Sequence, residues 1–140
     1  MRKVLSIITV FAIILVSCDN GGMDNTNPLI GTWEDSGTDN NLDWKDQFIF
    51  TENNEYTKIF NGFSIRVGVS GEIIEPLNVT ESGIYTCNNS IINFICESSN
   101  YPYDPPVEFP MESSCNYSIK GNELFITFPN NRTYSYKKVK

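Results

Sequence analysis

The chain has 140 residues, 40% of them hydrophobic and 13% aromatic, which is room for one domain and enough apolar mass for one core, so general disorder is excluded. Its formal charge is −7, and −9 once Arg2 and Lys3 at the N-terminus are set aside (8 Lys+Arg against 17 Asp+Glu), a surface that repels phosphate backbones and argues against nucleic acid as a partner. Histidine is absent, which removes Ser-His, Cys-His and His-metal chemistry together.

Met1-Arg2-Lys3 is a short positive segment, and Val4 to Val16 is an apolar run broken only by Ser6 and Thr9. That run is too short to span a bilayer comfortably, and it ends in small residues and a cysteine instead of a stop-transfer charge cluster. Leu15-Val16-Ser17-Cys18 resembles the lipobox of bacterial lipoproteins, with Leu three positions before the cleavage site, a small residue just before it and Cys just after. The resemblance implies that Cys18 receives a diacylglyceryl group, that the chain is cut after Ser17, and that the protein is held on a membrane of the bacterial cell envelope by its acyl chains. Each buried methylene contributes roughly 0.8 kcal/mol, so two or three chains anchor it essentially permanently. An ordinary secretory peptide with an early cysteine is the other reading. Residues 1–17 are thus expected to be a signal peptide and residues 18–28, rich in Gly, Asn and Asp, a flexible tether. Asp19 leaves the choice of leaflet open.

From Leu29 to the C-terminus (residues 29–140) the dominant period is two, with turn residues at short intervals, as in an antiparallel all-β domain. The expected strands are Ile30–Asp35, Trp44–Thr51, Glu55–Asn61, Ser64–Ile73, Gly83–Cys87, Ile91–Glu97, Ser114–Lys120, Glu123–Phe128 and Thr133–Lys138. Asn61-Gly62, Asn88-Asn89, Lys120-Gly121 and Asn130-Asn131 supply residues that tolerate the backbone of tight turns. Tyr85 to Phe94 aligns with Tyr117 to Ile126 as the same two-stranded unit. Pairing about each turn sets Tyr85 opposite Ile92 and Tyr117 opposite Leu124. The inward set is then Tyr85, Cys87, Ile92, Phe94 and Cys96, followed by Cys115, Tyr117, Ile119, Leu124, Ile126 and Phe128.

The leader, Gly31-Thr32-Trp33 on the first strand, the meander of hairpins and Tyr-x-Ile-x-Gly-Asn-x-Leu-x-Ile (Tyr117 to Ile126) together resemble the lipocalin-like domains of bacterial lipoproteins. The resemblance implies a single antiparallel up-and-down β-barrel of about eight strands, filled with side chains or holding one small ligand. It also implies that Trp33 plugs the closed end beside the last strand, and that a basic residue near the end of that strand covers its ring. Lys137 or Lys138 is placed for this, whereas Arg132 lies at the strand's other end.

Cys96 and Cys115 flank the longest loop and share the inward parity, which makes them the preferred disulfide in an oxidising compartment, worth about 3 kcal/mol in the chain-entropy model. Three reduced core cysteines are the alternative. The loop from Ser98 to Met111 holds four of the seven prolines. Proline stiffening would present Tyr101, Tyr103, Phe109 and Met111 either as a lid or partner-binding loop, or as a crossover packed on the barrel wall. The carboxylates Glu34, Asp35, Asp43, Asp46, Glu52, Glu55, Glu72, Glu75, Glu81, Glu97 and Asp104 mostly fall at turns or on the wet face, with no pair to prefer for acid–base work. No enzymatic activity, metal or cofactor is therefore expected.

Two functions fit. One is a small apolar or amphipathic ligand held in the barrel, lined by Trp33, Phe48, Phe50, Tyr85, Phe94, Tyr117, Ile126 and Tyr136. The other is a fully packed barrel whose loops bind a protein partner. The same aromatic residues serve either, because only tertiary geometry decides whether rings meet or leave a cavity.

Overall fold

The computed structural model describes residues 27–68, 71–103 and 105–139; the leader, Cys18, most of the tether and Asp104 lie outside them. Turn residues cut the period-two pattern into eight strands: β1 (Gly31–Asp39), β2 (Leu42–Phe50), β3 (Glu55–Gly68), β4 (Gly71–Cys87), β5 (Ile91–Ser99), β6 (Met111–Lys120), β7 (Glu123–Thr127) and β8 (Thr133–Lys138). Each pairs antiparallel with the next, and β8 returns to β1 through Trp33↔Lys138 and Glu34↔Lys137, so the sheet closes into an up-and-down barrel. The expected fold class is therefore the observed one.

The boundaries differ most at β3 and β4, where three expected strands become two, while β1, β2 and β6 are longer than expected. Asn61-Gly62 is not a turn: β3 runs through it, and the reversal comes between Gly68 and Gly71. Gly62 serves packing instead, since a Cβ there would lie 2.6 Å from the Phe60 ring and 3.2 Å from the Trp44 side chain. A glycine whose surface is covered by a neighbouring aromatic ring carries the same letters as a turn glycine. The expected strand Ser64–Ile73 thus straddles the real turn, and residues 74–82 belong to β4.

Beyond Lys45↔Asn61 β3 has no β2 partner, and β5 joins β4 only from Glu81 onward. The two strands therefore leave the barrel as a two-stranded arm, roughly 25 Å long at the usual rise per residue. Pro76 lies in it, where β4 has an open edge and a missing N–H costs no ladder bond. At its base the register shifts between Ser82 and Gly83. Gly83 packs its α-carbon against the Ile95 carbonyl with no space for a side chain.

The core runs from Leu29 and Trp33 through Phe48, Phe50, Tyr56, Tyr85, Ile92, Phe94, Leu124 and Ile126 to Tyr136. Ring pairs tie adjacent layers together: Phe50 meets Tyr85 edge-on at 5.0 Å and Tyr56 meets Phe94 at 4.9 Å. The inward parity expected for β5 to β7 holds, with Ile119 and Phe128 packed at its margin. The register does not, because Tyr85 faces Phe94 and Tyr117 faces Ile126. Both pairings are displaced by an even number of residues, which preserves the buried face while changing every partner.

The β5–β6 register removes the expected disulfide. Cys96 sits opposite Met111 and Cys115 opposite Ile92, so four positions of β5 separate them along the strand. At the rise of a strand this is roughly 13 Å, beyond the Cα reach of about 7 Å that a disulfide allows. Both are buried free thiols, as in the alternative reading for these two residues. Burial pushes each thiol's pKa up, away from the reactive thiolate. Cys87 is buried in the core as well, with Asn27 Nδ2 4.0 Å from its sulfur.

Candidate functional site

The two ends of the barrel are built differently. At one end lie the β2–β3, β4–β5 and β6–β7 turns, together with the segment that precedes β1. Trp33, 1% exposed, donates from Nε1 to the Leu29 carbonyl at 2.7 Å. Asn27 Nδ2 donates to Tyr85 Oη at 2.9 Å, and Tyr117 Oη donates to the Asn88 carbonyl at 2.8 Å. Lys138 Nζ stands 5.0 Å over the Trp33 ring, the position expected of Lys137 or Lys138. Gly31, at φ 125°, brings the chain in where a Cβ would meet Lys138 Cε at 3.2 Å. This end is closed, and the polar atoms of its buried Trp33, Tyr85 and Tyr117 side chains are paired.

The other end is open and mixed. Its walls are the mouth-side halves of β2, β3 and β4 with the start of the arm, and the proline-rich loop leans on them. Asn100 anchors that loop on the free edge of β4: its N–H donates to the Thr80 carbonyl at 3.2 Å, and its Oδ1 accepts from the Thr80 N–H at 2.7 Å. Tyr101 and Tyr103 follow, rings 4.7 Å apart, and Tyr103 Oη donates to Glu81 Oε1 at 3.4 Å. Between them and the arm lies a groove of about 430 Å³ walled by Phe60, Leu77, Val79 and the two tyrosines, with Lys58 and Glu81 at its barrel end. Two further cavities adjoin it. One, of about 250 Å³, reaches down to Phe48, Tyr56 and Phe94; the other, of about 310 Å³, lies between Asp46, Phe128, Tyr134 and Tyr136. Lys58 lines all three.

Lys58 is the pivot of this end. It alternates inward between Tyr56 and Phe60 on β3, with Nζ 5.5 Å from the Phe48 ring centre and 5.9 Å from that of Phe128. Asp46 Oδ2 is 3.8 Å from Nζ, close enough for attraction but too far for a hydrogen bond. Tyr136 Oη donates to that same oxygen at 2.9 Å, whereas Asp46 Oδ1 is buried without a partner among the described residues. Burial raises the Asp46 carboxyl above its usual range, and Asp35 opposite it and Glu81 push the same way, while Lys58 and the Tyr136 bond oppose them. Burial, reinforced by Asp46, likewise pushes the Tyr136 phenol up, so it stays a neutral donor.

The expected lining residues divide between these two regions. Phe48 and Phe94 reach the middle cavity and Tyr136 its neighbour, whereas Trp33, Phe50, Tyr85, Tyr117 and Ile126 are packed within the core. Of the loop residues, Tyr101 and Tyr103 wall the groove and Met111 the middle cavity; Phe109 is half-buried outside all three. Sequence reasoning misses Lys58, Phe60, Leu77 and Val79, and it assigns Asp46 and Glu81 to the acidic surface. For Asp46 and Lys58 the signal is a charge in the inward phase of an aromatic alternation. For Leu77, Val79 and Glu81 there is none, because the pattern around Pro76 does not read as a strand.

No protein-family model matches the chain. The curated proteins provide no match either. Function must therefore be argued from the mouth itself.

Proposed function

We propose that this protein is a membrane-anchored bacterial lipoprotein whose lipocalin-like barrel binds a small apolar or amphipathic molecule at its open mouth. The observation that carries the ligand reading is the groove of about 430 Å³ between the β3–β4 arm and the Tyr101–Tyr103 pair. It is concave and lined mainly by apolar side chains, with a few convergent polar groups at one end, the usual anatomy of a small-molecule site. The packed lower barrel supplies the rigid wall against which such a molecule is held. The anchor is read from Leu15-Val16-Ser17-Cys18. Asn27, which enters at the closed end, follows Cys18 by nine positions, so the tether keeps that end within about 30 Å of the membrane.

Native mass spectrometry of the full chain, extracted in mild detergent from membranes of its own organism, tests the ligand. A stoichiometric small molecule that is lost in Leu77→Asp supports the reading; a ligand-free mass in the wild type overturns it. Intact mass of the same material tests the anchor: a Cys18 peptide carrying acyl chains is expected, and one of unmodified mass, or bridged to Cys87, removes it. A second reading, in which the loops bind a protein, is favoured by Ile65, Ile73 and Ile74 on the arm, 42%, 47% and 47% exposed.

A further inference from the structure

The charges at the mouth narrow the class of ligand. Lys58 and Glu81 are direct cross-strand partners on β3 and β4, both on the inward face. Opposite charges so placed ordinarily pair. Here they do not: among the described residues Lys58 finds its ion pair with Asp46, and Glu81 receives its hydrogen bond from Tyr103. The two side chains have swung apart, one toward β2 and the other toward the proline-rich loop. The groove and the middle cavity both open between them. Among the described residues the Lys58 ammonium has no hydrogen-bond acceptor, and one Glu81 oxygen has no donor.

A ligand head of one sign fits this arrangement poorly. An anion on Lys58 would lie beside Asp46, Glu81 and Glu112, which line the same cavities. A cation on Glu81 gains from those same carboxylates but leaves the Lys58 donors unfilled. A head that carries both signs satisfies both residues at once, and it replaces the ion pair that the cross-strand partners forgo. The apolar remainder then follows the groove, along Phe60, Leu77 and Val79 under Tyr101.

Building on the mouth as the binding site, we infer that the ligand is a single-chain zwitterionic amphiphile, its anionic group on Lys58, its ammonium group on Glu81 and its tail in the groove. The test is calorimetric titration of the full chain in phosphatidylglycerol nanodiscs with three probes of one chain length: N-decylglycine, decanoate and decylamine, each kept monomeric. Partition of each probe into the lipid is subtracted by the same titration of empty nanodiscs. N-decylglycine is expected to bind at least about tenfold more tightly than either single-charge probe, the size of one charge-assisted hydrogen bond. Lys58→Gln should weaken N-decylglycine by about tenfold and leave decylamine unharmed, which also shows that the variant is folded; Glu81→Gln should weaken N-decylglycine similarly and leave decanoate unharmed. Equal affinity for all three probes, abolished by Leu77→Asp, overturns the zwitterionic head while leaving the mouth as the site. Absence of binding by every probe overturns both.

Discussion

The closed end and the open mouth of this barrel use the same residue types to opposite ends. At the closed end the buried rings are served, since Trp33 has its acceptor and Tyr85 its donor, and Lys138 covers an aromatic face. At the mouth an aromatic cluster, a lysine and carboxylates leave Asp46 Oδ1 unpaired and Lys58 without a hydrogen-bond acceptor among the described residues. Polar groups are satisfied where the barrel is closed, and they are left unsatisfied at the mouth, the end proposed to bind a ligand. One packed sheet carries both, because strand polarity places alternate turns at opposite ends.

The largest effect that should separate the ends is the loss of a ring. Trp33→Ala is expected to destabilise the barrel by about 3–5 kcal/mol, whereas Tyr101→Ala, 43% exposed, should change stability by less than about 0.5 kcal/mol while weakening the binding proposed for the mouth. Urea denaturation of both variants measures the contrast. Comparable losses at the two positions would mean that the loop is part of the core.

The next effect lies at the floor of the mouth. Tyr136 is 1% exposed, and among the described residues its hydroxyl serves Asp46 alone. Tyr136→Phe leaves a carboxylate already lacking one partner with only the distant Lys58, and should cost about 1–3 kcal/mol. If denaturation shows no loss, water already serves Asp46 and the mouth is wetter than its packing implies.

How far this contrast is legible in the sequence depends on the device used at each end. The closed end is readable because its parts sit at the ends of strands that the pattern delimits well: Gly31-Thr32-Trp33 opening β1 and Lys138 closing β8. Parity is readable along β5 to β7 for the same reason, since alternation survives a register displacement of two. The disulfide is not, because Cys96 and Cys115 share a face regardless of which residues they oppose. The arm is lost to an ambiguity at Gly62, where ring packing and turn formation demand the same residue. With the arm go Leu77, Val79 and Glu81, which form one wall of the groove.

Acidity offers a smaller but directional test of the mouth. The folded pKa of Asp46 is raised above its unfolded value, chiefly by burial, with Asp35 and Glu81 adding to it and Lys58 and Tyr136 opposing. The native state therefore binds that proton more tightly, and ionised Asp46 costs stability at neutral pH. As pH falls through the raised value toward the ordinary carboxylate range, the wild type should gain on Asp46→Asn, by no more than about 1.4 kcal/mol for each pH unit of that window. Unfolding free energies of the two proteins across the same window measure the difference. Should the wild type instead lose ground on acidification, Lys58 and Tyr136 outweigh burial, and the mouth holds a stabilised carboxylate.

The smallest effect belongs to Lys138, and it bears on whether the closed end is finished by chemistry or by shape. Its ammonium stands over Trp33 while its side chain remains exposed, so the cation–π contact is worth about 0.5–1 kcal/mol at most. Lys138→Gln keeps the strand and much of the side-chain length, removing only the charge. A double-mutant cycle with Trp33→Phe isolates the pair from the larger loss of ring area. Coupling of about 0.5 kcal/mol or more assigns the lysine to the closure of the barrel. Coupling near zero would assign closure to Trp33 and Leu29 packing alone, and the position of the lysine would then follow from strand pairing, since Trp33↔Lys138 is where β8 meets β1.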